Sequence, residues 1–150
     1  MLRANAMIVG VLVLVGCIPA WMDPGYMSVA GRTSRVRGAA ESFGYDLRWG
    51  RFEEAAQRVK PDQREAFLSL ASEIDGEVRF TGFEIESIDV GIARAEASVI
   101  VAFTLYRLPS IEETTLREQQ HWRFDKIRRA WYIEPNLALY RGDALADQGP

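Results

Sequence analysis

One cysteine, Cys17, and one histidine, His121, stand among 150 residues. A lone cysteine excludes an intrachain disulfide, so stability has to come from packing. With a single imidazole and no carboxylates at helical ligand spacing beside it, a zinc or iron site is not expected, and no cofactor is implied. Lysine is nearly missing too, at 2 residues against 16 arginines, and no basic block occurs. A net charge of -3 without a basic patch argues against a nucleic-acid partner. No apolar run approaches the ~20 residues that a helix needs to span a bilayer. Nor is there a G-x-S-x-G elbow, a phosphate-binding glycine loop, an H-E-x-x-H pair or a dinucleotide fingerprint, so covalent and nucleotide chemistry have no visible apparatus.

The chain does have an uncharged apolar run over residues 6–15 (AMIVGVLVLV), preceded by Arg3 and followed by Pro19 and Asp23. That is the layout of a secretory signal. Leu14-Val15-Gly16-Cys17 resembles the lipobox of bacterial lipoproteins. The resemblance implies removal of residues 1–16 and lipidation of Cys17, which becomes the new N-terminus. Two or three acyl chains hold a protein stably on a membrane. Ile18 in place of Asp after the cysteine implies the outer membrane, with the protein facing the periplasm. Residues 17–35 contain Pro19, Pro24, Gly25 and Gly31 and lack periodicity, so they read as a tether.

From Val36 the pattern turns helical, with Val36, Ala40, Phe43 and Leu47 on one face and Gly50 as the stop. Phe52, Ala55, Ala56 and Val59 predict a second, shorter helix. Pro61 suits the start of a third, which buries Phe67, Leu70, Ala71 and Ile74 and ends near Gly76. Thereafter the period is two, the mark of antiparallel sheet. Val78 and Phe80 differ in parity from Phe83 and Ile85, which predicts a bulge at Gly82. Strands are expected over residues 93–108, 114–125 and 130–134, with the charged turn 125–129 between the last two. Residues 36–140 form one α+β domain in this reading, and residues 141–150 a disordered tail.

Three helices, the segment Gly50-Arg51-Phe52-Glu53-Glu54-Ala55-Ala56, the bulge at Gly82, and His121-Trp122-Arg123-Phe124 followed by Ala130-Trp131-Tyr132-Ile133 together resemble the nuclear transport factor 2-like fold. The resemblance implies N-terminal helices packed in the concave face of a strongly curved antiparallel sheet, a cone with a pocket between helix and sheet. Some members of that family use the pocket for isomerase, dehydratase or hydrolase chemistry, and others as a binding or dimerisation surface. Fold alone does not decide between them.

Strand parity places Glu118 and Gln120 on the same side as Leu116, Trp122 and Phe124. They form either a pocket floor, with Glu118 as a base or ligand contact, or ordinary ion-paired positions. On the first helix Tyr45 and Trp49 are one turn apart with Asp46 between them. In the resembled fold they line a cavity for a small apolar ligand; the alternative is plain core. His121 points outward with Arg117, Gln119 and Arg123, and Glu84 and Glu86 share a strand face as a weak calcium pair or solvated surface. The leading expectation is a non-enzymatic envelope lipoprotein, bound to the membrane through lipid on Cys17, that binds a protein partner or forms a homodimer. The alternative is a small-molecule-binding module, or an isomerase or hydrolase working through Glu118 or Asp46.

Overall fold

Helix α1 (Val29–Arg48) starts at Ser28, whose hydroxyl accepts a hydrogen bond from the Gly31 N–H at 2.9 Å. Such a cap satisfies one of the donors that every helix start leaves open. The helix thus begins seven residues before the apolar pattern does, and residues 29–35, expected as tether, are helical. None of these seven is buried, so no periodicity could announce them. The structure, a computed structural model, describes residues 28–91 and 95–136. The leader, Cys17 and the tail expected at 141–150 lie outside the described residues.

From Val36 onward α1 buries Val36, Ala39, Ala40, Phe43, Gly44 and Leu47. At Gly44 the helix meets the sheet so closely that a Cβ would stand 2.8 Å from ring carbons of Phe83. The helix ends as expected at Gly50, which takes φ +65°. The Gly50 N–H donates to the Leu47 carbonyl at 3.1 Å and the Arg51 N–H to the Asp46 carbonyl at 2.8 Å. These two bonds define a Schellman motif, in which the left-handed residue lets the chain reverse onto the open carbonyls.

Helix α2 (Phe52–Ala56) is one turn, and a 3-10 turn (Pro61–Gln63) leads into α3 (Arg64–Ile74). As the pattern requires, α3 buries Phe67, Leu70, Ala71 and Ile74. Strands β1 (Val78–Val90), β2 (Glu96–Arg107), β3 (Thr114–Asp125) and β4 (Ala130–Glu134) make an antiparallel sheet in the order β1-β2-β3-β4. The expected bounds of β3 and β4 coincide with those observed. β1 is irregular at the expected place, between Phe80 and Gly82, and again between Ile85 and Ser87. The second irregularity restores the parity that the first removed, so Ile88 and Val90 return to the helix side.

The helices cover one face of the sheet. Phe43 of α1 lies edge-on to Trp122 of β3 with centroids 6.3 Å apart, and 5.9 Å from Phe67 of α3. Phe80 and Phe103 make a second contact at 5.6 Å, and Phe124 and Trp131 a third at 5.4 Å. Removing a ring as enclosed as Phe43 costs about 3–5 kcal/mol. The other face is polar: Arg117 of β3 reaches over Ala102 of β2 to Glu86 of β1 at 2.9 Å. The segment after α2 also joins the sheet. Ile133 donates its N–H to the Arg58 carbonyl at 2.8 Å and accepts at its own carbonyl from Lys60 N–H at 2.9 Å, a parallel bridge between Val59 and Ile133. This is the α+β class expected, built on an open four-stranded sheet.

In the β3–β4 turn, Asp125 Oδ1 accepts from the N–H groups of Ile127 at 2.8 Å and Arg128 at 2.9 Å. Its other oxygen pairs with the Arg128 guanidinium at 2.9 Å. The Arg128 backbone bond first, and its side chain second, hold the Asp125 carboxyl below its ordinary range.

Two tests follow from the glycines and the turn. Gly38 of α1 has open space around it, so Gly38→Ala gains about 0.5–1 kcal/mol of helix propensity. Gly44→Ala on the same helix loses about 1–3 kcal/mol by overpacking against Phe83; urea unfolding of both variants reads the opposite signs. The second test concerns acid. A depressed carboxyl stabilises the fold above its unfolded pKa and loses that contribution as pH falls through the folded one, so Asp125 is protective down to about pH 4 and fails below it. In urea midpoints taken between pH 6 and pH 2.5, Asp125→Asn has a shallower acid dependence than the parent.

Candidate functional site

Alternation along β3 sends Leu116, Glu118, Gln120, Trp122 and Phe124 to the helix side. Opposite them on β2 are Phe103, Val101, Val99 and Ala97, in register with Leu116, Glu118, Gln120 and Trp122. A carboxylate and an amide are thereby set against an aliphatic ladder, where each polar atom needs a partner. Four of these atoms find partners within the set. Trp122 Nε1 donates to Gln120 Oε1 at 3.0 Å, and Gln120 Nε2 donates to Glu118 Oε2 at 2.9 Å. An indole N–H can only donate, so it fixes the orientation of the amide, whose NH2 then faces the carboxylate. The result is a one-way relay that ends on Glu118.

Glu118, Gln120 and Trp122 expose 0%, 1% and 1% of their surface. A void large enough for one water beside them would count as exposure, so the relay stands in solid packing. Sequence parity therefore placed these three residues correctly on the inner face, and the relay brings them together. Their burial, with the Phe43 ring edge-on to Trp122, leaves none of the three open to solvent.

The α1 residues do not join them. Tyr45 is 51% and Trp49 66% exposed. Position 45 lies two residues, or about 200°, from Phe43 around the helix, which turns it away from the core stripe. Tyr45 rests edge-on against Phe83 at 5.4 Å. Asp46 is 8% exposed and binds Arg51 Nη2 at 2.7 Å. It is tied to the Schellman turn through both its carbonyl and its side chain, a structural post and not a base placed over a cavity. Of the three, Trp49 does border a depression, the groove at the end of α1, while Asp46 is held in the turn and Tyr45 stands against Phe83.

Two surface depressions were not foreseen. One, of about 270 Å³, lies on the outer sheet face between His121, Arg123, Glu96, Asp89 and Glu134. Part of its polar wall is mutually paired: Arg123 contacts Glu96 at 3.3 Å and Glu134 at 3.8 Å, and Lys60 reaches Glu134 at 3.3 Å. Lys60 is held above its ordinary range by the hydrogen bond and charge of Glu134, then by Asp62. His121 faces outward as expected. Glu86 of the Glu84/Glu86 pair is engaged by Arg117, and among the described residues no three metal-binding side chains converge. The other depression, of about 350 Å³, is a groove at the opposite end, between the end of α1, Phe52, the end of α3 and the start of β1. Trp49 stands on its rim. Both arise from the meeting of elements distant in sequence, so neither leaves a local motif; the pairing of Glu96 with Arg123 follows only once the β2–β3 register is known.

No family model matches the chain, and no curated protein matches it. Solved structures do share its fold. A SEC-C motif-containing protein from Psychrobacter arcticus aligns with TM-score 0.52 at 15% identity, over 89% of this chain and 76% of that one. A second SEC-C motif-containing protein, from Rhodopseudomonas palustris, gives 0.50 at 15% identity over 73% and 77%. A candidate isomerase from Rhodopseudomonas palustris gives 0.49 at 17% over 75% and 96%. The likeness to the first two is one of fold alone. The resemblance to bacterial lipoproteins with a nuclear transport factor 2-like domain is corrected by these findings: no such family matches, and the structures sharing the fold are SEC-C motif proteins. Among the described residues no helix is long and apolar enough to cross a membrane.

The relay sets a stability test. Gln120→Leu leaves the carboxylate oxygen and the indole N–H without their shared partner, at about 1–3 kcal/mol for each stranded group. Glu118→Gln keeps an acceptor at the end of the chain and costs less. Equilibrium urea unfolding ranks the two, and a Gln120→Leu protein as stable as the parent would remove the relay from the forces holding this fold.

Proposed function

We propose that this domain is a non-enzymatic binding module that engages a protein partner or a second copy of itself. One observation carries the reading. Among the described residues, the one carboxylate that is fully buried, Glu118, is enclosed at 0% exposure and engaged by Gln120, so it reaches neither water nor substrate. A general base has to come within ~3 Å of the proton it takes, directly or through one water. Asp46 is likewise committed to Arg51. What the domain offers to other molecules is surface: an exposed Trp49 and Tyr45 on α1, and two depressions of ligand-sized volume. Aromatic residues and arginine are the side chains that anchor interfaces most often.

The reading is tested by light scattering and crosslinking of the tagged protein in its native extract. A homodimer or a specific partner is expected, recovered equally by the parent and by Glu118→Gln and Asp46→Asn. A monomer that captures nothing, or turnover of an ester or isomerisable substrate that disappears in Glu118→Gln at unchanged urea midpoint, would overturn it.

A further inference from the structure

The 350 Å³ groove has two kinds of wall. Its floor is apolar, made by Leu47 at the end of α1, Phe52 of α2, and Val78 and Phe80 of β1. Leu47, Val78 and Phe80 are buried and Phe52 is half-buried. Beneath it, Leu47, Phe52 and Phe80 also border a void of about 10 Å³ whose other walls, including Phe67, Leu70 and Ile74, are all apolar. That is too small for a water to settle without polar partners. The floor is therefore slightly underfilled, and Leu47, Phe52 and Phe80 border both groove and void.

The rim is charged, and unequally so. Arg48 and Arg79 face one acid, Asp75. Arg79 contacts Asp75 at 3.7 Å, with both side chains about half exposed, a separation and exposure at which an ion pair holds weakly. Arg48, in the last turn of α1, has its guanidinium 5.7 Å from the Trp49 ring centroid. It makes no ion pair with the described residues. A guanidinium with no ion pair among the described residues, beside an exposed indole and over an aliphatic and aromatic floor, is complementary to a molecule that is apolar at one end and anionic at the other. A planar guanidinium matches a carboxylate with two parallel hydrogen bonds. The volume lies at the small end of the range for sites that enclose small molecules, roughly 300–1,000 Å³.

We propose that this groove is a binding site for a small apolar carboxylic acid. Its alkyl or aryl body lies on Leu47, Phe52 and Phe80, and its carboxylate meets Arg48 and Arg79 at the rim. This goes beyond the protein-binding reading and rests only on the domain being a binding module, to which it gives a small-molecule ligand.

The probes are decanoate, decanol and decylamine, which share a chain and differ in head group. Titrations of the full chain are followed by calorimetry and by backbone amide NMR shifts. Decanoate is expected to bind saturably, to shift amides in residues 47–52 and 78–80, and to bind at least tenfold more tightly than decanol, with decylamine weaker still. Arg48→Gln weakens decanoate by roughly tenfold, the factor that one charge-assisted hydrogen bond is worth. Asp75→Asn removes the competing acid and tightens decanoate several-fold, a gain that damage to the fold cannot produce. Equal affinity for the three probes, shifts elsewhere, or an Asp75→Asn variant that binds no better would overturn the proposal. The two readings fail separately. Partner capture that persists without decanoate binding removes the groove alone, whereas decanoate bound and chemically altered removes the non-enzymatic reading alone.

Discussion

A carboxylate shut off from water persists in a fold only where donors are built around it, and the relay through Gln120 to Trp122 provides one to Glu118. The relay also makes the register of β3 a sharp choice. Slipping the strand by one residue would turn Glu118 and Gln120 outward and drive Arg117, Gln119 and His121 into the aromatic core. Arg117 and Arg123 would then lose the outer-face carboxylates of Glu86, Glu96 and Glu134. Both faces of β3 thus enforce one alignment, one by hydrogen bonds in a dry interior and the other by charge pairs in water. The inner constraint is the stronger, because an unmet polar group costs more where water cannot replace the partner.

Around that strand the helical layer is fitted at close quarters. Gly44 lets α1 come against Phe83, and the reversal at Gly50 and Arg51 delivers Phe52 to the rim of the sheet four residues past the helix end. The groove is a by-product of this reversal. A helix that stops abruptly leaves its last side chains, Arg48 and Trp49, beyond the layer they would otherwise pack against. Exposure of Trp49 is thus a consequence of where the helix ends, and it makes the residue available for binding.

Much of the fold was legible because burial leaves a period. β3 and β4 alternate without interruption, so their limits could be read to the residue, and the four apolar positions of α3 followed from helical spacing. The parity change at Gly82 signalled a bulge directly. The second irregularity, between Ile85 and Ser87, was missed because Ile85 and Ile88 fit no simple alternation and no glycine marks it. The first seven residues of α1 were missed because a helical segment that buries nothing has no stripe; its signals are a serine cap and a Thr33 hydroxyl bonded to the Val29 carbonyl. Of the candidate site, parity recovered the inward placement of Glu118, Gln120 and Trp122 but not their mutual bonding, which depends on rotamers. Tyr45 and Trp49 were assigned inward by analogy of fold, against their own offset from Phe43 and Leu47.

The bridge between Val59 and Ile133 joins parts of the chain 74 positions apart. Because Arg58 and Lys60 occupy the hydrogen-bonding groups of Ile133, the last strand is clamped between its hairpin partner and a segment that precedes the whole sheet. Peeling that strand away from the C-terminal side would first have to break the clasp, so fraying cannot proceed one hairpin at a time. The same clasp takes up the outward hydrogen-bonding groups of Ile133, which a foreign strand would otherwise use.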